Sequence, residues 1–172
     1  MKLKIRTFGD PVLRCRAEPV AAVTDALRRL ADDMLETMYA ARGLGLAAQQ
    51  VGETCALCVI DIPAAMDVDE EGGPRLNPDI ALPLVLFNPE ICAESAEKVA
   101  CDEGCLSFPE IHAPVRRARE VTVRFLDREG QSREVTVRGL MARAVQHEGD
   151  HLAGVLLVDR MSPVKKISLA GQ

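Results

Sequence analysis

No stretch of the 172-residue sequence approaches the roughly 20 apolar residues needed for a membrane-spanning helix. The opening residues, MKLKIRTFGDPVLR, alternate charged and apolar side chains and lack the apolar run of a secretory signal. A cytoplasmic location away from membranes is the expectation. There is no dense basic patch and the formal net charge is -5, so a sequence-independent grip on phosphate is not expected and direct nucleic-acid binding is set aside. No internal repeat is found. Histidine is scarce, with three in the chain. Against these absences stands a 48% hydrophobic fraction, enough to give a chain of this length one globular domain, residues 1–172, with a real core.

Six cysteines make an even number, but a chain this long does not need a disulfide framework, and without an export signal most should be reduced thiols. Cys55 and Cys58 form a Cys-x-x-Cys that could be read as a redox or zinc pair. CALCVIDI reads as a buried strand, however, where residues three apart face opposite sides, and there is no second such pair. Cys15, Cys55, Cys58 and Cys92 are therefore expected to be ordinary core thiols.

Leu27, Leu30, Ala31, Met34, Leu35 and Met38 follow the i, i+3, i+4, i+7 spacing of an amphipathic helix over Thr24 to Arg42, with Thr24 and Asp25 as N-cap signal and Gly43 as stop. Strands are expected in CALCVIDI and LPLVLFNP, and a hairpin in EVTVRFLD and SREVTVR around DREGQ. The acidic, Gly- and Pro-rich stretch from about 64 to 82 reads as a surface loop with scope for movement, not a linker. A last helix should run from near Gly139 to a C-cap at Gly154. Its apolar residues are spread around several faces, as on a helix with sheets around it. Gly149 inside it should cost about 1 kcal/mol relative to Ala, which suggests a functional or close-packing reason. The fold class is α+β: mostly antiparallel strands packed around a central C-terminal helix, with an N-terminal amphipathic helix.

That last helix carries His-Glu-x-x-His. His147 and His151 lie one turn apart on one face, and Glu148 sits beside them, placed to handle a water proton near a metal. Two histidines cannot hold a catalytic metal alone. A metzincin pattern would place a third His six residues after His151, where Leu157 stands. A thermolysin-like scheme needs a later Glu, and the 21 residues after His151 contain none; their sole acid is Asp159. His112, in the Pro-flanked segment PEIHAPVRR, reads as a solvated loop imidazole. In VACDEGCLSFPEI, Cys105 could bring a thiolate to the helix, completing a His-His-Cys set with a position left for water, and Cys101 competes with it.

GLGLAAQQ (43–50), EGCLS (103–107) and QHEGDH (146–151) resemble, in order, the three signature motifs of peptide deformylases. GDPVLR, LFNPEI and HLAGVLLVDRMSP extend the likeness over nearly the whole chain; the long 64–82 loop and the short tail after Lys166 stand outside it. The resemblance implies Cys105 as third ligand, so that Cys105, His147 and His151 hold one divalent ion. Ferrous iron is the ion implied, with zinc, nickel or cobalt able to substitute. It implies hydrolysis of the N-formyl group from the initiator methionine of nascent chains, near the ribosome, releasing formate. Glu148 would carry the proton, and the Gln50 side-chain amide and the Leu106 backbone N–H would receive the oxyanion. The peptide would lie along Gly45 and Gly104 as an added strand, with Leu44 and the apolar side of the last helix holding the methionine side chain. Gly43 and Gly45 would permit close backbone approach, and Ala47 and Ala48 would leave room beside the metal. Asp150 would steady the helix or a ligand from outside the coordination set. A metalloendopeptidase sharing only His-Glu-x-x-His, and a closed structural zinc site completed by Cys101, are the rival readings.

Overall fold

Helix α1 (Asp25–Ala40) forms where the apolar stripe begins: the Thr24 hydroxyl accepts the Leu27 N–H at 3.3 Å, and Ala31, Met34, Leu35 and Met38 are buried. Its stop is one residue earlier than expected. Arg42, with φ 57°, takes the left-handed position, and the Gly43 N–H closes onto the Met38 carbonyl at 2.9 Å. Gly43 serves a different need, since a Cβ there would lie 2.7 Å from Leu106 Cδ1.

The computed structural model describes residues 1–69 and 71–161. The remaining strands are β1 (Gly45–Ala47), β2 (Leu57–Ile60), β3 (Leu84–Glu94), β4 (Lys98–Cys105), β5 (Phe108–Ala118), β6 (Glu120–Leu126) and β7 (Ser132–Arg138). Five make an antiparallel sheet of order β1-β2-β3-β6-β7, and β4 and β5 form a separate antiparallel ribbon. Helix α2 (Gly139–Leu152) packs against strands of both, and a short α3 (Leu157–Arg160) follows. The α+β class, the β6–β7 hairpin and the central motif-bearing helix are as expected. Gly154, at φ 74°, follows the end of α2; any other residue would drive a Cβ to 2.5 Å from the Arg14 carbonyl oxygen.

The structure corrects four local expectations. PEIHAPVRR is part of strand β5, not a loop: Pro109 and Pro114 are exposed, on a ribbon with a single partner strand where a missing N–H costs little. Cys15 and Cys92 are exposed and Cys55 is half-buried, leaving Cys58 as the one core thiol of the four; exposed backbone turns and the outer end of β3 place the others. The 64–82 loop is anchored at Asp67 and Asn77. Asp67, 1% exposed, accepts from Asn77 Nδ2 at 2.5 Å, and the Asn77 amide bonds both the N–H and the carbonyl of Arg138, at the entry to α2. Gly149 has no tight packing to explain it, since the nearest atom to an added Cβ is Ile91 Cδ1 at 4.0 Å. The tail after Lys166 lies outside the described residues. No helix among the described residues is long and apolar enough to cross a membrane.

Candidate metal centre

Strand β4 ends at Cys105 as the ribbon turns over α2, and this turn brings together residues 46 apart in sequence: Cys105 Sγ lies 3.3 Å from His151 Nε2. The rings of His147 and His151 meet edge to face, 70° apart with centroids separated by 5.0 Å, on the one side of the helix that the one-turn spacing requires. One donor atom from each of Cys105, His147 and His151 falls within 4.8 Å of the other two. Cys101 is exposed, four residues back along β4, and is not part of this cluster.

Glu103 orders the cluster from behind. Its buried carboxylate accepts from Arg117 Nε at 2.9 Å and Nη2 at 3.0 Å, from Arg143 Nη1 at 2.7 Å, and lies 3.0 Å from His147 Nδ1. With Nδ1 so engaged, His147 presents Nε2 to the cluster. Asp150 joins the chain from the far side, bonded to Arg117 Nη1 at 2.6 Å and Arg160 Nε at 2.9 Å. Asp150 thereby reaches His147 through Arg117 and Glu103. Burial opposes a charged Glu103, but hydrogen bonds from His147 and Arg117 outweigh it and hold its pKa at about 2.

The two histidines of the cluster are driven in opposite directions. Burial works against a charge on His147, yet hydrogen bonds to Cys105 and Glu103 overcome it and lift its pKa to about 10. Burial, with the charge of His147 next, lowers His151 to about 3, so it offers a neutral imidazole. A cysteine sulfur, an imidazole oriented by a carboxylate and a neutral imidazole form a donor set that suits a borderline-soft divalent ion. The residues fit a metal.

Glu148 is 3% exposed, and burial, above all, raises its pKa to about 7. Its Oε2 has no hydrogen-bond partner among the described residues. Gly45 makes that position possible, because a Cβ there would lie 2.3 Å from Glu148 Oε1. Gln50 is also buried: its Oε1 accepts the Ala47 N–H at 2.9 Å, which turns Nε2 toward Ser107 Oγ at 3.2 Å and Cys105 Sγ at 3.5 Å. Ala47 and Ala48 fill the two apolar clusters on either side of the sheet, not the space beside the cysteine.

A cavity of about 470 Å³ opens over these groups. Leu44, Gly45, Gly104 and Leu106 line it beside Gln50, Cys105, His147 and Glu148, and Leu140 and Ala144 of α2 give it an apolar side. All nine residues expected at the site thus meet in one place. Sequence reasoning missed Arg117 and Arg143, which hold Glu103, and Ser107, which holds Gln50. For the two arginines the available signal was a charged residue at a position that the strand or helix pattern makes inward-facing; Ser107, in the turn between β4 and β5, offered only its place in EGCLS.

A partly buried Cys/His/His cluster with an unpaired carboxylate on an open cavity is the site of a metal-dependent hydrolase. The sequence profile for polypeptide deformylase matches residues 2–167. The peptide deformylase of Nitrosococcus oceani is 49% identical over 164 residues, covering 95% of this chain and 89% of that one. The crystal structure of the Ehrlichia chaffeensis peptide deformylase matches with a TM-score of 0.87 at 37% identity, over 98% of this chain and 92% of that one. The Synechococcus elongatus enzyme, solved in complex with actinonin, matches at 0.83 and 40% identity, over 98% and 83%. The chain belongs to the polypeptide deformylase family. It is a hydrolase that removes the N-formyl group from the formylmethionine of nascent peptides.

Proposed function

We propose that residues 1–172 form a single catalytic domain in which Cys105, His147 and His151 hold one divalent ion, and that Glu148, Gln50 and the Leu106 backbone carry out deformylation around it. The observation that carries this reading is the convergence of the three ligand atoms within 4.8 Å beneath the unpaired Glu148 carboxylate. A divalent ion there would make a water ionise more easily than in bulk and polarise the formyl carbonyl. Glu148, its pKa raised to about 7, accepts the water's proton and passes it to the departing amine. Gln50 Nε2 and the Leu106 N–H donate to the formyl oxygen as it gains charge. Hydrogen bonding of Gln50 Oε1 to Ala47 fixes the amide beforehand, so no reorganisation accompanies the reaction.

The peptide lies along β1, whose outer edge is open because β1 is the terminal strand of the sheet. Gly45 and Gly104 give its backbone room on either side, and Leu44, Leu140 and Ala144 hold the methionine side chain. Ferrous iron is the ion we assign, with zinc, nickel and cobalt able to replace it. We place the reaction in the cytoplasm near the ribosome, where formylated chains emerge.

The test offers purified protein a formyl-Met peptide and an internally cleavable peptide and identifies products by mass. The iron, zinc and nickel forms are each followed without and with air. Loss of formyl alone is expected, with the iron form most active and decaying in air as the accessible thiolate beside it oxidises. Internal cuts with the formyl group intact would contradict the catalytic reading; equal, air-stable iron and zinc forms would contradict the iron assignment.

A further inference from the structure

Among the described residues, three that are not glycine adopt positive φ: Arg42 at 57°, Asn88 at 50° and Glu110 at 63°. This conformation is unfavourable for side chains with a Cβ, though asparagine tolerates it. Asn88 is accounted for by its own hydrogen bonds, at 2.8 Å to both the N–H and the carbonyl of Val20. The other two are long, oppositely charged and exposed, and both line the mouth of the same cavity from opposite walls. Arg42 turns the chain between α1 and β1. Glu110 sits in a bulge of β5: Cys105 pairs with Phe108 and Gly104 with His112, which leaves residues 109–111 without partners. Bulges re-aim side chains, and backbone strain gathers where function holds it. Asp102, exposed on β4, also lines this cavity from the ribbon.

We infer that this mouth is a charge filter for the residue following formyl-methionine: it prefers a basic over an acidic side chain, with Glu110 and Asp102 attracting it and Arg42 opposing. The inference rests on the peptide leaving the cavity past β1, as proposed above. The exposed ionisable groups there are Arg42, Asp102, Glu110 and His112. The two carboxylates of Asp102 and Glu110 outnumber the one guanidinium of Arg42. Charges at an exposed rim act through solvent and are screened by salt, so the effect is modest and electrostatic in signature.

The experiment measures kcat/KM for formyl-Met-Lys-Ser and formyl-Met-Asp-Ser at pH 8 and low salt, with formyl-Met-Ala-Ser as neutral reference, in wild type, Arg42→Gln and Glu110→Gln. The Lys/Asp ratio within each protein is the readout, so a change in overall rate does not disturb it. For wild type the ratio should be about 2 to 5, falling toward one in ~0.5 M salt, a measurement that needs no variant. Arg42→Gln should raise the ratio and Glu110→Gln should lower it. Deformylation of the neutral peptide with a wild-type ratio of one or below, or with variant ratios that stay put or move the other way, overturns the filter alone. No deformylation of the neutral peptide overturns the catalytic reading and the filter with it.

Discussion

Strand β2 is buried at all four residues and, with β3, backs the β1 wall of the cavity by apolar packing: Leu46, Ala48, Leu57, Val59, Val85 and Phe87 lie in one cluster under α1. The β4–β5 ribbon meets α2 very differently. Its contact is made by charges, with Glu103 gripped by Arg117 and Arg143 at exposures of 5–10%. Apolar packing is tolerant of small displacements and suits the wall that supplies Gly45 and Gln50. A metal ligand needs a fixed direction, and the hydrogen bond from Glu103 gives His147 one as packing alone does not.

The comparison breaks most visibly at the point where the two walls meet. Glu148→Gln removes the proton carrier while leaving the ligands and the Gly45 contact in place. Turnover should fall by roughly 10² to 10⁴ with metal content unchanged, checked by kinetics and elemental analysis on one preparation. Protein that purifies without metal would instead make Glu148 a ligand.

Glu103→Ala attacks the ribbon side. It removes the carboxylate that Arg117 and Arg143 share in a buried setting, leaving Arg117 with Asp150 and Arg143 with the carbonyls of Val99 and Val115, so up to about 3–5 kcal/mol of stability should be lost in denaturant unfolding. Metal affinity should fall about 10- to 100-fold as His147 loses its orienting partner. A variant unfolding at the wild-type midpoint would show that the ionic network is dispensable and that packing holds both walls.

The frame was far more legible in the sequence than the ribbon. Helix α1 could be read from a stripe and a cap, and β6 and β7 from alternation around a turn, because each element buries one face against apolar neighbours. The ribbon lacks that contrast: prolines and charges sit on its open side, and its inward residues Glu103 and Arg117 are themselves charged. His147, Glu148 and His151 were read from their spacing, and the resemblance selected Cys105 and supplied the rest of the nine. Ser107 lies in the recognised EGCLS but was given no role, whereas Arg117 and Arg143 belong to no motif that was recognised. Gly149 shows the limit of reasoning from cost alone, since nothing packs close enough to require glycine. Gly149→Ala should therefore stabilise α2 by up to about 1 kcal/mol, read as a higher melting temperature with kcat/KM kept. A destabilised variant would reveal a constraint on the back of α2.

The account turns on Cys105 supplying the third ligand, and cobalt is a direct reporter because a thiolate bound to it gives a near-ultraviolet charge-transfer band. Cobalt-loaded wild type, Cys101→Ser and Cys105→Ser would be compared by that band, by bound metal and by formyl-Met hydrolysis. The band, the metal and the activity should survive in Cys101→Ser, and the band should vanish in Cys105→Ser along with most of the activity. A band that persists in Cys105→Ser, or disappears in Cys101→Ser, would contradict the Cys105/His147/His151 centre.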